Sequence, residues 1–386
     1  MKYDFDRPLN RRSEWSVKWN CANNELPMWV ADMDFEVAQP IRKAIEERLS
    51  HPCFGYSEVP PSWASSYPSF WSHRFATPLK EDALLFSLGI IPSLSACVRA
   101  FTSVGDEIII LTPVYNVFNH SIENNARKVI EVPLRNENER YSIDFPKLEE
   151  ACAREKAKML ILCNPHNPVG RAWNKEELSR LASLASAHNV LVVSDEVHGP
   201  ITPNDKPYVP YVSSCQEARY SSITLLAPTK SFNIAGVQTS ACYVESKALR
   251  DKLSFALNAD EVMEGNFLSY ISSIAAFNES DDWLAQVNDY IQENYAFFLS
   301  FMQSNLPKIK LAPLEATYLL WADISSYRKD DVAFCQELRE KTGLWITPGS
   351  TYGKAGKGHV RINIACPKAR LEDCLKRLFA YCKSLG

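Results

Sequence analysis

The stretch Ser222 to Gly236, SITLLAPTKSFNIAG, decides how the chain is read. Its first half predicts a strand, because Ile223, Thr224, Leu225 and Leu226 form a short apolar run suited to a buried parallel strand. Ala227 and Pro228 end it, and Thr229-Lys230 leads into a turn that contains Asn233 and closes on Gly236. Open α/β sheets hold their ligands beyond the carboxyl ends of their strands, which is where this pattern puts Lys230. A lysine desolvated there can lose its proton and form a Schiff base with an aldehyde. Taken alone, a loop lysine is usually a solvated one. The rest of the chain decides between the two.

On the amino-terminal side of that stretch, strands alternate with helices. Ala83 to Leu88, Glu107 to Leu111, Lys128 to Leu134, Lys158 to Cys163 and Val190 to Val193 are strand-like, and Ser240 to Val244 follows on the other side. About seven strands in such alternation predict a mostly parallel α/β sheet. Leu94, Cys97, Val98 and Phe101 give a helix after Gly89-Ile90-Ile91-Pro92, with proline in its first turn. The first N–H groups of such a helix can hold a phosphate. Asn174 with Glu177 three residues on reads as a capping box, and Leu178, Leu181, Ala182 and Ala185 give the helix behind it a core face.

The two ends read differently. Residues 1 to about 35 form an irregular, tryptophan-rich arm ending in MWVADMDF, and Pro40 to Leu49 is a short helix. Phe54-Gly55-Tyr56-Ser57 is a turn, where the tyrosine is either packed or a phosphate ligand. Beyond residue 246 the pattern turns helical, with a long helix near Trp283 to Phe301. Strand-like stretches then follow at Thr317 to Ala322, Trp345 to Thr347 and His359 to Ala365, with a terminal helix from Lys368. The expected division is a large domain over 47–280, and a small α+β domain from 281–386 together with 1–46.

Composition narrows the function classes. The chain has 386 residues, 46% hydrophobic and 23% charged, with a net charge of −4. These values are ordinary for a soluble globular protein and supply no basic field for nucleic acid or anionic membrane. No apolar run approaches the ~20 residues of a membrane span, and MKYDFDRPLNRR lacks a signal core. The eleven cysteines are odd in number, scattered and without a CxxC pair, so a reducing cytoplasm is expected and a zinc site is not. No GxGxxG, GxSxG or HExxH motif is present.

Three loops at predicted strand ends each carry a polar group: Asn164 to Gly170 (NPHNPVG), Ser194 to His198 (SDEVH) and Thr229 to Gly236 (TKSFNIAG). Singly, Asn164 and Asn167 read as turn residues, Asp195 as a helix cap and Lys230 as solvated. In this order, and with TPVYNVF at 112–118 and GHVRINIACP at 358–367, they resemble the fold-type I pyridoxal 5′-phosphate enzymes of the aspartate aminotransferase superfamily. With WVADMDF at 29–35, the wording is most similar to the cystathionine β-lyase and cysteine-conjugate lyase group, which includes cystalysin-like enzymes.

That resemblance implies a role for each residue. Lys230 would carry the cofactor and move the Cα proton. Asp195 would pair with the pyridine nitrogen, Asn164 would bond the phenolic oxygen and contribute to substrate binding, and Tyr115 would stack on the ring. Ile90 and Ile91 N–H groups with Thr229 would hold the phosphate. Tyr56 would reach the phosphate of a neighbouring subunit, implying a homodimer with shared sites. Arg361 would clamp the substrate carboxylate. Gln238 replaces an arginine common eight residues after the lysine, Ala227 replaces a frequent serine, and Asn116 stands where several lyases have a second tyrosine.

The implied activity is carbon–sulfur β-elimination of L-cystathionine or related cysteine S-conjugates, giving a thiol, pyruvate and ammonia. An aminotransferase would pass through the same carbanion and is the alternative. A regulatory or interaction protein on a lyase scaffold is a third reading, although neither end carries a helix-turn-helix extension.

Overall fold

The apolar runs read from the sequence are strands of one sheet. The computed structural model describes residues 1–12 and 14–385. At its centre are β1 (Leu84–Ser87), β2 (Glu107–Thr112), β3 (Lys128–Pro133), β4 (Ala157–Cys163), β5 (Leu191–Asp195), β6 (Ser222–Leu226) and β7 (Ser240–Tyr243). Their spatial order is β1-β7-β6-β5-β4-β2-β3. Only β7 runs antiparallel to its neighbours, so β1 points the same way as β2 to β6. The fold is therefore α/β fold-type I, with a seven-stranded, mostly parallel sheet.

Helices cover both faces, which is why the strands are apolar on both sides. Ile109, Leu111, Leu160, Leu162 and Val192 pack with the helices Phe145–Cys152 and Lys175–Ala187. Ile108, Ile110, Met159, Ile161 and Val193 pack with Ile90–Phe101 and Lys247–Ala259. Asn174 and Glu177 form the expected capping box, each side chain bonded to the other's N–H at 2.8 and 2.9 Å.

A second sheet is small and antiparallel. Its strands β8 (Lys310–Leu311), β9 (Leu319–Asp323), β10 (Thr347–Pro348) and β11 (His359–Asn363) lie in the order β8-β9-β11-β10. Trp345 to Thr347 was expected as one strand and is two short ones: Leu344–Trp345 pairs with Leu26–Pro27 of the arm, and Thr347–Pro348 pairs with β11. The arm is thereby tied to the carboxyl-terminal part. The helix Gln39–Ser50 spans the expected boundary at 46/47.

Elsewhere the outcome differs from the sequence expectation. Residues 54–57 have no turn and belong to an irregular stretch. Pro61–Phe75 is an unanticipated helix, with Trp63, Tyr67, Phe70 and Trp71 buried and Pro68 inside it. No helix among the described residues is long and apolar enough to cross a membrane, and all eleven cysteines are free.

Candidate active site

The carboxyl ends of the parallel strands open into a cavity of about 350 Å³ lined by Gly89, Ile90, Ile91, Tyr115, Asn167, Asp195, His198, Thr229, Lys230 and Gln238, among others. A larger groove of about 860 Å³ around Trp173, Lys206 and Asp289 gathers none of these residues. The smaller cavity, at the strand ends, is the one with the chemistry.

Lys230 sits in the turn after β6, and its Nζ donates to the main-chain oxygen of Ala31 at 2.8 Å. Burial lowers its pKa; the Asp32 and Asp195 charges oppose that shift and the Arg361 charge adds to it. No carboxylate lies within 4.0 Å of the amine among the described residues. The neutral form needed for a nucleophile or base is thus brought closer to physiological pH.

Asp195 ends β5 and is buried. Its carboxylate accepts the Val197 N–H at 3.1 Å. Burial pushes its pKa up to about 6, against the pull of that N–H and of the Lys230 charge. A cationic ring nitrogen placed beside it would be held charged by the carboxylate, and would hold the carboxylate charged in turn. Tyr115, edge-on to Phe118 at 5.8 Å, is kept a neutral phenol by burial and by the Asp195 charge. The helix Ile90–Phe101 begins after Gly89, and Gly89, Ile90 and Ile91 line the cavity with Thr229 and Gln238; the first N–H groups of a helix have no partner within it.

Arg361, on β11, is buried. Nη1 donates to Asn167 Oδ1 at 3.1 Å, Nη2 donates to the Trp29 oxygen at 2.7 Å, and the guanidinium lies over the Tyr352 ring at 4.9 Å. Nε is buried without a partner. No carboxylate comes within 4.0 Å among the described residues. A buried cation facing only neutral oxygens is costly, and an anionic ligand supplies the missing charge.

The two asparagines of the NPHNPVG turn are placed differently. Asn164 does not line the cavity; its Nδ2 donates to Glu196 at 3.2 Å and to the Val209 oxygen at 2.9 Å. Asn167, read from the sequence only as a turn residue, lines the cavity. Its Oδ1 is occupied by Arg361, which leaves its NH2 as the group it can offer. Tyr56 lies outside the cavity with its side chain exposed.

Sequence reasoning missed two contributors. His198 lines the cavity; burial and the Lys230 and Arg361 charges lower its pKa to about 3, so it is neutral there. The other is the arm. Trp29 and Ala31 aim carbonyls at Arg361 and Lys230, and Tyr318 also donates to Ala31 at 3.1 Å. Asn233 clasps Met33 and Phe35, and Asn363 clasps Val30 and Asp32. Beneath, the buried Asp34 is ringed by Lys18, Arg11, Arg370 and the Trp19 indole.

These residues fit pyridoxal 5′-phosphate. The cavity offers an amine for the aldehyde, a buried carboxylate for the ring nitrogen, an aromatic ring for the ring face and a helix start for the phosphate.

Comparison with known proteins agrees. The aminotransferase class I and II family model matches residues 27–378. The chain is 35% identical over 383 residues to cystathionine beta-lyase PatB of Bacillus subtilis, covering 98% of this chain and 99% of that protein. It is 30% identical to protein MalY of Escherichia coli, covering 96% of each. The crystal structure of cystalysin from Treponema denticola, which contains a pyridoxal 5′-phosphate cofactor, superposes with a TM-score of 0.97 at 30% identity over the full length of both chains.

Proposed function

The chain belongs to the class I and II aminotransferase family, is similar to cystathionine beta-lyase PatB and cystalysin, and has pyridoxal 5′-phosphate as its cofactor; on that premise we propose that it is a β-lyase acting on L-cystathionine or related cysteine S-conjugates. The observation that carries this reading is an enclosed lysine with a lowered pKa in one site with a buried arginine that has no acidic partner among the described residues. That combination suits an amino acid substrate, whose carboxylate meets Arg361 while its Cα–H is offered to Lys230.

When bound, pyridoxal phosphate supplies the electron sink that makes the Cα–H acidic. Arg361 holds the substrate carboxylate, its position set by Asn167 and Trp29. Lys230 takes the proton from Cα. The Cβ–S bond then breaks with its electron pair going to sulfur, and hydrolysis of the remaining fragment gives pyruvate and ammonia. Asp195 would hold the ring nitrogen protonated, and Tyr115 would offer its ring to the ring face. The first N–H groups of Ile90 and Ile91, with Thr229, would hold the phosphate. Asn167, rather than Asn164, would offer its NH2 to the phenolic oxygen.

Two further parts of the reading rest on the same premise. The seven-stranded sheet lies within 47–280 and the four-stranded one within 281–386, which supports a large and a small lobe with the arm joined to the latter. Tyr56 is exposed beside exposed Phe54, Leu49 and Val59, which suits a homodimer in which Tyr56 reaches the neighbouring phosphate. The test is direct. Cofactor-loaded protein given L-cystathionine with no keto acid releases thiol and pyruvate; amino transfer that needs an added keto acid, with no thiol, overturns the reading.

A further inference from the structure

Glu196 follows Asp195 in sequence but does not line the cavity. It is fully buried, and no basic side chain pairs with it within 4.0 Å among the described residues. A buried carboxylate without a cation is expensive unless hydrogen bonds replace the charge. Here they do. One oxygen accepts from Tyr211 N–H at 2.8 Å, Ser194 Oγ at 2.9 Å and Asn164 Nδ2 at 3.2 Å. The other accepts from the Tyr208 hydroxyl at 3.0 Å, which itself accepts from the Trp71 indole at 2.9 Å. Burial pushes the Glu196 carboxyl up to about 7, and these donors oppose that shift.

The four donors come from the end of β5, from segment 208–211 and from the first residue of the 164–170 loop. Asn164 is further tied by its N–H to the Asp195 oxygen at 2.9 Å. Three residues later the same loop presents Asn167 to the cavity and to Arg361. Glu196 therefore grips the loop at its root, while the loop's far end sets the guanidinium.

We propose that Glu196 is a positioning residue of the reaction centre: through Asn164 it fixes the 164–170 loop, and with it the Asn167–Arg361 pair that receives the substrate carboxylate. The proposal rests on the reading of Arg361 as that receptor. It predicts an effect on amino acid binding that is separable from folding.

The test is the Kd of cofactor-loaded protein for L-alanine, read from the change in cofactor absorbance; L-alanine has no leaving group, so no elimination is needed. Glu196→Ala and Asn164→Ala each raise that Kd about 10-fold or more, the scale of one misplaced hydrogen bond. Each titration is run at saturating pyridoxal phosphate, with loading checked by fluorescence, so that a loss of cofactor affinity through Asn167 does not enter that Kd. Glu196→Gln rescues, because its amide can keep the oxygen on Asn164 and turn the NH2 to the Tyr208 hydroxyl, which can accept. Tyr208→Phe removes the bond to the far oxygen and the acceptor of the Trp71 indole, but none of the bonds on the Asn164 side, and leaves the L-alanine Kd at its wild-type value. If Glu196→Ala does not fold, Asn164→Ala carries the test. The proposal is overturned by an unchanged L-alanine Kd in folded Asn164→Ala, or by a Tyr208→Phe effect as large as that of Asn164→Ala. A wild-type protein that turns over cystathionine but does not bind L-alanine removes the Arg361 reading, and the proposal with it. A wild-type protein that binds L-alanine but releases no pyruvate removes the lyase reading and leaves this one standing.

Discussion

The Nζ of Lys230 and the main-chain oxygen of Ala31 are 2.8 Å apart, a contact between residues 199 positions apart in sequence. It joins the loop after the central strand to an arm with no regular structure of its own at that point. The arm is therefore part of the site, and the carbonyls at Trp29 and Ala31 give Arg361 and Lys230 their resting partners.

The arm's attachment is testable at Asn233. Its side chain makes three hydrogen bonds to Met33 and Phe35, at 3.0 to 3.1 Å. Asn233→Ala should cost about 1–3 kcal/mol of stability, the scale for unsatisfied buried groups. It should also raise KM, since Ala31 and Trp29 lose their register. Thermal unfolding and steady-state kinetics on one preparation check both.

On the proposed reading, Arg361→Ala removes the cation that receives the substrate carboxylate. Charge-assisted hydrogen bonds contribute about 1.5–3 kcal/mol, so KM should rise by about 10- to 100-fold, with a smaller change in kcat. Arg361→Lys should recover only part of the loss, because a lysine cannot reproduce the two-pronged contact. Steady-state kinetics on the two variants separate these outcomes.

Strand β11 carries a second cation with a pH dependence. His359 Nε2 faces Glu139 and the Tyr141 hydroxyl, each at 3.2 Å, while Nδ1 faces the Lys357 oxygen at 3.2 Å. Burial opposes its charge, but the Glu139 carboxylate, the Lys357 oxygen and the Asp323 charge together raise its pKa. The folded value therefore lies above the unfolded one. The pair's stabilisation is full below the ordinary histidine range and is lost as pH rises through the raised value. Glu139→Gln should be less stable than wild type by about 1 kcal/mol in mild acid, and the gap should close in mild alkali. Urea unfolding at the two pH values measures it.

The dimer reading is checked by mass and cofactor affinity. One chain is 43.7 kDa, and light scattering should report twice that mass at micromolar concentration. Tyr56→Phe should weaken pyridoxal phosphate binding by about 3- to 10-fold, the value of one hydrogen bond, although Tyr56 lies outside its own chain's cavity.

Much of this was legible in the chain. The strands announced themselves because both their faces are buried, so EIIIL at 107–111 and ITLL at 223–226 could belong only to a covered sheet. The capping box at Asn174 is a local device and was read from local sequence. What could not be read depended on partners far away. Asn164 and Asn167 share one turn, and which of them faces the cavity is set by Glu196 and Arg361. The arm acts through backbone carbonyls, which every residue has, so no side-chain signal marks them. The helix Pro61–Phe75 hid behind serines and an internal proline, its aromatic face stabilised by Phe277 and Phe86 rather than by propensity.

The measurement that tests the central claim most directly is the ratio of thiol to pyruvate formed from L-cystathionine by the cofactor-loaded protein with no keto acid, beside Lys230→Ala. The account predicts one thiol per pyruvate from the wild type and turnover reduced by at least about 1,000-fold in the variant. Pyruvate without thiol, or a variant that turns over at the wild-type rate, would contradict it.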